Sequence, residues 1–157
     1  MSLLPFHRRR DGVHVGLGEE ERALIAELSG QLVALLEGRD ESDPAVSRLL
    51  QPGYADDDEA NAEFRRLTVD DLTAGKIRNA EMVRESLASA DPKAPLTPEA
   101  EQAWLRSLTD LRLTLASRLG LTDEGFAAGA SDDRAMLENV YEWLGFVQES
   151  LVRAVDR

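Results

Sequence analysis

The chain has 157 residues, 43% of them hydrophobic, which is enough to bury a sizeable core in one domain. Its 30 acidic residues outnumber 18 lysines and arginines, and the net charge of −12 disfavours unaided binding to DNA, which carries a negative charge every ~1.7 Å. The absence of cysteine excludes disulfides, thiolate metal sites and thiol redox switches, and no apolar run approaches the ~20 residues of a membrane-spanning helix. We therefore expect a single cytoplasmic domain over residues 1–157, with no membrane segment.

Residues 1–18 precede the first helical pattern and are expected to form an arm. The stretch "FHRRRDGVHVGL" alternates weakly around Asp11–Gly12, a dipeptide that adopts the positive φ angles of tight hairpins, so it predicts a small N-terminal β-hairpin. His7 and His14 flank this turn and would face each other across the hairpin. Zinc would need further ligands, and none lies nearby at a metal-ligand spacing, so we expect neither a metal nor a cofactor.

Hydrophobic periodicity predicts an all-α fold, a single-domain bundle of about five helices over residues 19–37, 57–67, 68–90, 97–119 and 132–155. An apolar stripe that includes Leu24, Leu32 and Leu36 marks the first helix, and Gly38 ends it. The pairs Asp43–Pro44 and Thr97–Pro98 each combine a capping side chain with a first-turn proline, predicting a short helical turn at residue 44 and the start of the fourth helix. The first, fourth and last helices are expected to form the core.

An acidic run, Asp56 to Glu59, raises the question of a cation site. Four consecutive helical residues spread about 300° around the helix axis, so their carboxylates diverge rather than meet at one ion. The first turn of a helix is the better interpretation, because acids are favourable near its positive dipole end. A separate helix start is predicted at Thr68, with Asp70 and Asp71 in its first turn, and Gly75 weakens the middle of that helix.

The sequence contains few patterns that indicate catalysis or cofactor binding. There is no nucleophile elbow, Gly-rich phosphate loop or dinucleotide fingerprint, so the sequence predicts a protein that is not an enzyme, with no catalytic residue. Arg112, in "DLRLTL", lies among leucines, and a buried guanidinium needs a carboxylate or carbonyl partner. The acidic run, Asp70 or Asp71 could supply it. Basic residues between 57 and 90 are interleaved with acids, which suits a surface that docks another protein better than one that binds DNA.

Four stretches taken in order carry a family resemblance: "EEERALIAELSGQLVALL", "DPAVSRLLQPGYADDDEANAEFRRLTVDDL", "WLRSLTDLRLTLASRLGLT" and "YEWLGFVQESLVRAV". They resemble a family of small actinobacterial proteins, long described as a domain of unknown function and typified by the oxidative-stress transcriptional regulator AosR. None of the residues that match the family is known to be catalytic. They are Glu21, Arg22, Asp43, Pro44, Tyr54, Asp57, Glu63, Phe64, Arg65, Trp104, Arg112, Leu113, Tyr141 and Trp143.

The resemblance implies a non-enzymatic regulator that acts mainly through protein–protein contacts with the transcription machinery, a sigma factor or RNA polymerase. Direct DNA binding is disfavoured by the net charge, and a homodimer stays open. The alternative is an accessory or adaptor protein linked to Clp proteolysis or cysteine metabolism, which the family's gene neighbourhood implies. This chain departs from the implied redox role in one respect, because oxidant sensing by a cysteine pair is impossible without cysteine.

Overall fold

A computed structural model describes residues 4–51, 62–89, 91, 93–120 and 132–156. A two-stranded hairpin is followed by five helices. The strands are β1 (Phe6–Arg9) and β2 (Gly12–Val15), and the helices are α1 (Glu19–Gly38), α2 (Pro44–Leu49), α3 (Ala62–Leu87), α4 (Pro98–Leu119) and α5 (Asp132–Asp156). The predicted fold class is therefore confirmed: the protein is all-α with a small N-terminal hairpin.

The hairpin turns where the sequence predicts. Gly12 has φ = 139°, a conformation that side chains rarely allow, and the strands pair antiparallel with His7 opposite His14. The outer edge of β2 is also covered, since the Leu96 N–H donates to the Val13 carbonyl at 2.8 Å. One edge of the small sheet is thereby tied to the segment that leads into α4.

Capping residues fix where the short and long helices begin. The carboxylate of Asp43 accepts from the Ala45 N–H at 2.9 Å, and the Thr97 hydroxyl accepts from the Ala100 N–H at 3.1 Å. Each satisfies one of the amide donors that a helix start leaves without a partner. α4 ends at Gly120, whose φ of 67° is the left-handed conformation typical of a helix C-cap.

The structure differs from the prediction at Thr68. Residues 57–67 and 68–90 were expected to be two helices, but Thr68 lies inside α3, which runs unbroken from Ala62 through Gly75 to Leu87. The Thr68–Asp70–Asp71 pattern resembles a helix start, yet Val69, Leu72, Thr73, Ala80 and Val83 continue a single inward face across it. Tertiary packing of that face outweighs the local start signal.

The long helices alternate in direction. Arg22, near the start of α1, donates to the Leu87 carbonyl at the end of α3 (3.0 Å), whereas Arg39, just after α1, pairs with Asp70 near the start of α3 (2.5 Å). α1 and α3 are therefore antiparallel. α4 lies against α3 and α5, and β1 packs on α5.

The core lies between these helices and the hairpin. Trp104 is at its centre, with its ring edge-to-face with Phe6 at 5.1 Å between centroids. Other fully buried side chains are Val13, Ile25, Leu36, Val46, Val83, Leu108, Leu119, Leu144, Val147 and Leu151. α3 and the hairpin therefore join the three predicted core helices. Within the described ranges, no helix is both long and apolar enough to cross a membrane.

Candidate functional site

Asp43 and Pro44 serve the architecture. Besides capping α2, Asp43 forms a two-pronged ion pair with Arg118 of α4, with N–O distances of 2.7 and 2.9 Å. The hydrogen bonds from Arg118 and from the Ala45 amide lower the pKa of Asp43 to about 2. The pair clips α2 onto the end of α4 and leaves this carboxylate fully ionised at neutral pH.

Trp104 is likewise structural. Its side chain is fully buried, and its indole N–H donates to the Ser86 hydroxyl of α3 at 2.8 Å. Together with the edge-to-face contact on Phe6, this bond joins α3, α4 and the hairpin through one side chain. A ligand would have no access to it.

The sequence predicts a carboxylate or carbonyl partner for Arg112, and within the described residues that partner is the side-chain carbonyl of Gln148. The guanidinium of Arg112 lies 4.8 Å from the ring centroid of Tyr141 and donates to the side chain of Gln148 at 3.2 Å, so α5 supplies both contacts. Asp70 pairs with Arg39 instead. Gly145 makes room for this stack, because a Cβ there would lie 3.2 Å from Arg112 Nη2.

The remaining family-motif residues are distributed over the chain. Trp143 is half-buried against the core. Tyr54, Asp57 and the acidic run from Asp56 to Glu59 lie outside the described residues, so the interpretation as a helix start stays a prediction. Glu63, Phe64 and Arg65 belong to the first turns of α3. Among the motif residues whose side chains are described, Arg112 and Tyr141 contact each other, whereas Asp43 and Trp104 stabilise other helix contacts.

Sequence reasoning missed a buried ion pair between α3 and α4. Lys76 Nζ lies 2.6 Å from Asp110 Oδ1, and Asp110 is 2% exposed. Burial raises the pKa of Asp110, while the hydrogen bond and charge of Lys76 oppose that rise. The sequence did contain a signal that Asp110 is buried. Asp110 lies three residues after Ser107 and six after Trp104, so the helical period places it at the edge of the buried face of α4.

The two histidines face each other as predicted. Their rings stack with centroids 5.9 Å apart, and His14 Nε2 is 2.7 Å from Asp11 Oδ1. Neither ring nitrogen of His7 has a hydrogen-bond partner within the described ranges. Burial, followed by the charges of Arg9 and His14, lowers the pKa of His7, so the ring is neutral at pH 7. No group of three or more metal-binding side chains occurs in the part of the chain that the structure describes.

The best candidate for a ligand site is a groove between β1 and the C-terminal half of α5, which we call the hairpin groove. It encloses about 670 Å³. Its residues are Leu4, Phe6, His7, Arg8, Gly145, Phe146, Glu149, Ser150, Arg153 and Ala154. The Ser150 hydroxyl fixes one wall, accepting from the Phe6 N–H at 3.0 Å and donating to the Phe6 carbonyl at 3.1 Å.

The charged side chains of the hairpin groove are mainly cationic. Arg8 donates to the Ala154 carbonyl at 2.7 Å and to the Val155 carbonyl at 3.5 Å, so its charge is held at the end of α5 by neutral acceptors. Arg153 pairs with Glu149 at 3.2 Å, but both side chains are largely exposed, and such pairs contribute little. The groove therefore carries two arginines against one glutamate.

The described lining of the groove includes one hydroxyl and one imidazole. Its one hydroxyl, on Ser150, is engaged with Phe6, and the neutral His7 ring lies alongside without a carboxylate to orient it. Within the described lining, these two groups do not form a coupled nucleophile and base.

Comparison with known proteins places the chain in a family. The model of the family described as Domain of unknown function (DUF2017) matches residues 4–155, which includes every element described above except the last residue of α5. The chain belongs to this family. Proteins named "Oxidative stress regulator AosR" in Mycobacterium bovis and Mycobacterium tuberculosis are 28% identical over an alignment of 180 residues, which covers 91% of this chain and 83% of theirs. No solved structure matches this member of the DUF2017 family.

Proposed function

We propose that this protein is a non-enzymatic regulator of the stress response that acts mainly through protein–protein contacts with the transcription machinery, with a sigma factor or RNA polymerase as partner. The observation that carries the proposal is the similarity over nearly the whole chain to proteins named oxidative stress regulator. A partner of this kind places the protein in the cytoplasm.

The electrostatics support contacts with protein rather than DNA. The net charge of −12 repels a polyanion, and several arginines are already engaged in ion pairs, among them Arg39, Arg84 and Arg118. Because the chain has no cysteine, we propose that a partner or a ligand delivers the oxidant signal to it.

Affinity purification from the native host is the direct test. We expect RNA polymerase or a sigma factor to be enriched on the intact protein. A matched bait with Trp104→Ala, which opens the core, controls for capture by exposed apolar surface, and its captured proteins are subtracted. Enrichment of a Clp adaptor or of cysteine-biosynthesis enzymes instead would support the accessory-protein alternative and count against the proposal.

A second experiment separates protein contacts from direct DNA binding. Purified protein is titrated against its own upstream DNA in an electrophoretic assay at physiological salt, with and without the captured partner. We expect no specific shift by the protein alone. Tight, sequence-specific binding without a partner would overturn the protein-contact mechanism. Sedimentation of the same sample measures whether a homodimer is present.

A further inference from the structure

We propose that the hairpin groove is a binding site for a small amphiphile that carries an apolar chain and one anionic group, of the chemical class of a fatty carboxylate. This goes beyond the proposed function, because it gives the regulator an input that needs no thiol. It rests on the shape and lining of the groove, not on the identity of the protein partner.

The size and lining of the groove suit a small molecule. Ligand sites typically enclose roughly 300–1,000 Å³ and are lined mainly by apolar and aromatic side chains, and the hairpin groove, at about 670 Å³, lies within that range. Phe6 contributes the buried floor, whereas Phe146 is 51% exposed at the rim. A half-exposed aromatic ring beside an apolar floor gains contact area when an alkyl chain covers it.

The walls are held in place before a ligand arrives. Ser150 fixes the backbone of Phe6 through two hydrogen bonds. Arg8 also fixes β1 to the end of α5, because its side chain donates to the Ala154 carbonyl. Binding therefore requires little ordering of the protein, which lowers the entropic cost of association.

The charges select an anion. Arg8 has no carboxylate partner within the described ranges, since its acceptors are the Ala154 and Val155 carbonyls, and Arg153 can exchange its exposed partner Glu149 for a ligand carboxylate. His7 is neutral at pH 7 and adds no charge. Two arginines against one glutamate leave a net positive lining on a chain whose total charge is −12.

Because the groove lining is positive and the whole chain is negative, two probes of opposite charge distinguish binding in the groove from general attraction to the chain. If long-range attraction to the whole chain decided binding, a cationic amphiphile would bind better than an anionic one of equal chain length. If the hairpin groove decides, the order reverses. Decanoate and decyltrimethylammonium are matched probes, both used below their micelle concentrations.

Isothermal titration calorimetry of the full chain at pH 7 compares the two probes. We expect decanoate to bind with a dissociation constant below about 1 mM and at least about tenfold more tightly than the cation. In a parallel NMR titration with decanoate, the amide chemical shifts of Gly145, Ser150 and Ala154, which line the groove, should change. No decanoate binding, or tighter binding of the cation, would overturn the proposal.

Variants locate the site. Phe146→Ala should weaken decanoate binding by about tenfold, and Arg153→Glu should weaken it by a similar factor while improving binding of the cation. Both positions are exposed, so folding should be unaffected, and circular dichroism checks this. Val152→Ala is the matched control, because Val152 is 49% exposed on the same helix but does not line the groove. Equal affinity for decanoate in the Phe146, Arg153 and Val152 variants would show that the probe binds elsewhere and refute the site.

Discussion

Replacing Lys76 by methionine tests the buried ion pair between α3 and α4. Methionine keeps most of the apolar stem of lysine but removes the ammonium, leaving Asp110 at 2% exposure without its partner at 2.6 Å. An unpaired buried carboxylate either stays charged at a large desolvation cost or takes up a proton. We expect Lys76→Met to destabilise the protein strongly at neutral pH, with a characteristic pH dependence.

Protonation of Asp110 sets an upper limit on the free energy of unfolding that Lys76→Met can remove. Keeping a carboxyl of ordinary pKa ~3.9 neutral at pH 7 costs about 1.4 kcal/mol for each pH unit, or about 4 kcal/mol in all. In the variant the folded-state pKa of Asp110 rises further above the unfolded value, so the folded protein holds the extra proton and stability falls as pH rises. The ceiling is therefore about 1.5 kcal/mol at pH 5 and close to zero below pH ~4.

Urea denaturation followed by far-ultraviolet circular dichroism at pH 5, 6 and 7 measures this cost. The double variant Lys76→Met/Asp110→Leu should recover most of the loss, because replacing a buried pair by apolar side chains is often neutral or stabilising. Arg153→Met, which breaks an exposed pair, should change stability by less than about 0.5 kcal/mol. A Lys76→Met cost below about 1 kcal/mol that does not change between pH 5 and 7 would refute the assignment of Asp110 as a buried charge held by Lys76.

Three further substitutions test other contacts. The Asp43 pKa of about 2 means that the Arg118 contact stabilises the fold above pH ~4 and is lost as pH falls towards 2. Asp43→Asn should therefore remove that part of the acid transition in a circular dichroism titration. An unchanged profile would contradict the low pKa. Trp104→Phe, which loses the indole hydrogen bond and leaves a cavity, should cost about 1–3 kcal/mol in urea denaturation, and a neutral result would argue against the buried position. Ser150→Ala should cost about 2 kcal/mol and speed hydrogen exchange at the Phe6 amide, whereas unaltered exchange would mean that the hydroxyl does not hold the hairpin.

The parts of the fold that follow from local chemistry could be predicted from the sequence. The Asp11–Gly12 turn places two histidines opposite each other, and the Asp43 and Thr97 caps start helices where their side chains can accept amide hydrogen bonds. Leu32 and Leu36 of the predicted stripe are buried, whereas Leu24 at its edge is 36% exposed. Periodicity identifies a helix face without fixing how wide the covered part is.

The parts that depend on long-range packing could not be predicted. A helix-start pattern at Thr68 carries no information about the neighbours that keep α3 continuous. Arg112 needed a partner, but only the register of α4 against α5 brings it to Tyr141 and Gln148. The hairpin groove needs the first strand to meet the last helix, and no local pattern specifies that meeting. Residues in the groove therefore lacked any sequence signal of their own, apart from His7 and Arg8 in the stretch "FHRRRDGVHVGL".

The bonds between Phe6 and Ser150 join residues 144 positions apart. During synthesis the hairpin leaves the ribosome long before α5, and until then Phe6 lacks the helix against which β1 packs. Assembly must therefore be completed after most of the chain has emerged, because closing so long a loop is entropically costly and is rewarded only once both ends are present. Truncation before Gly145 would remove the α5 wall of the groove and uncover Phe6, so a nascent or clipped chain of that length should be recognised as unfolded by the cell's quality control instead of persisting as a partly active regulator.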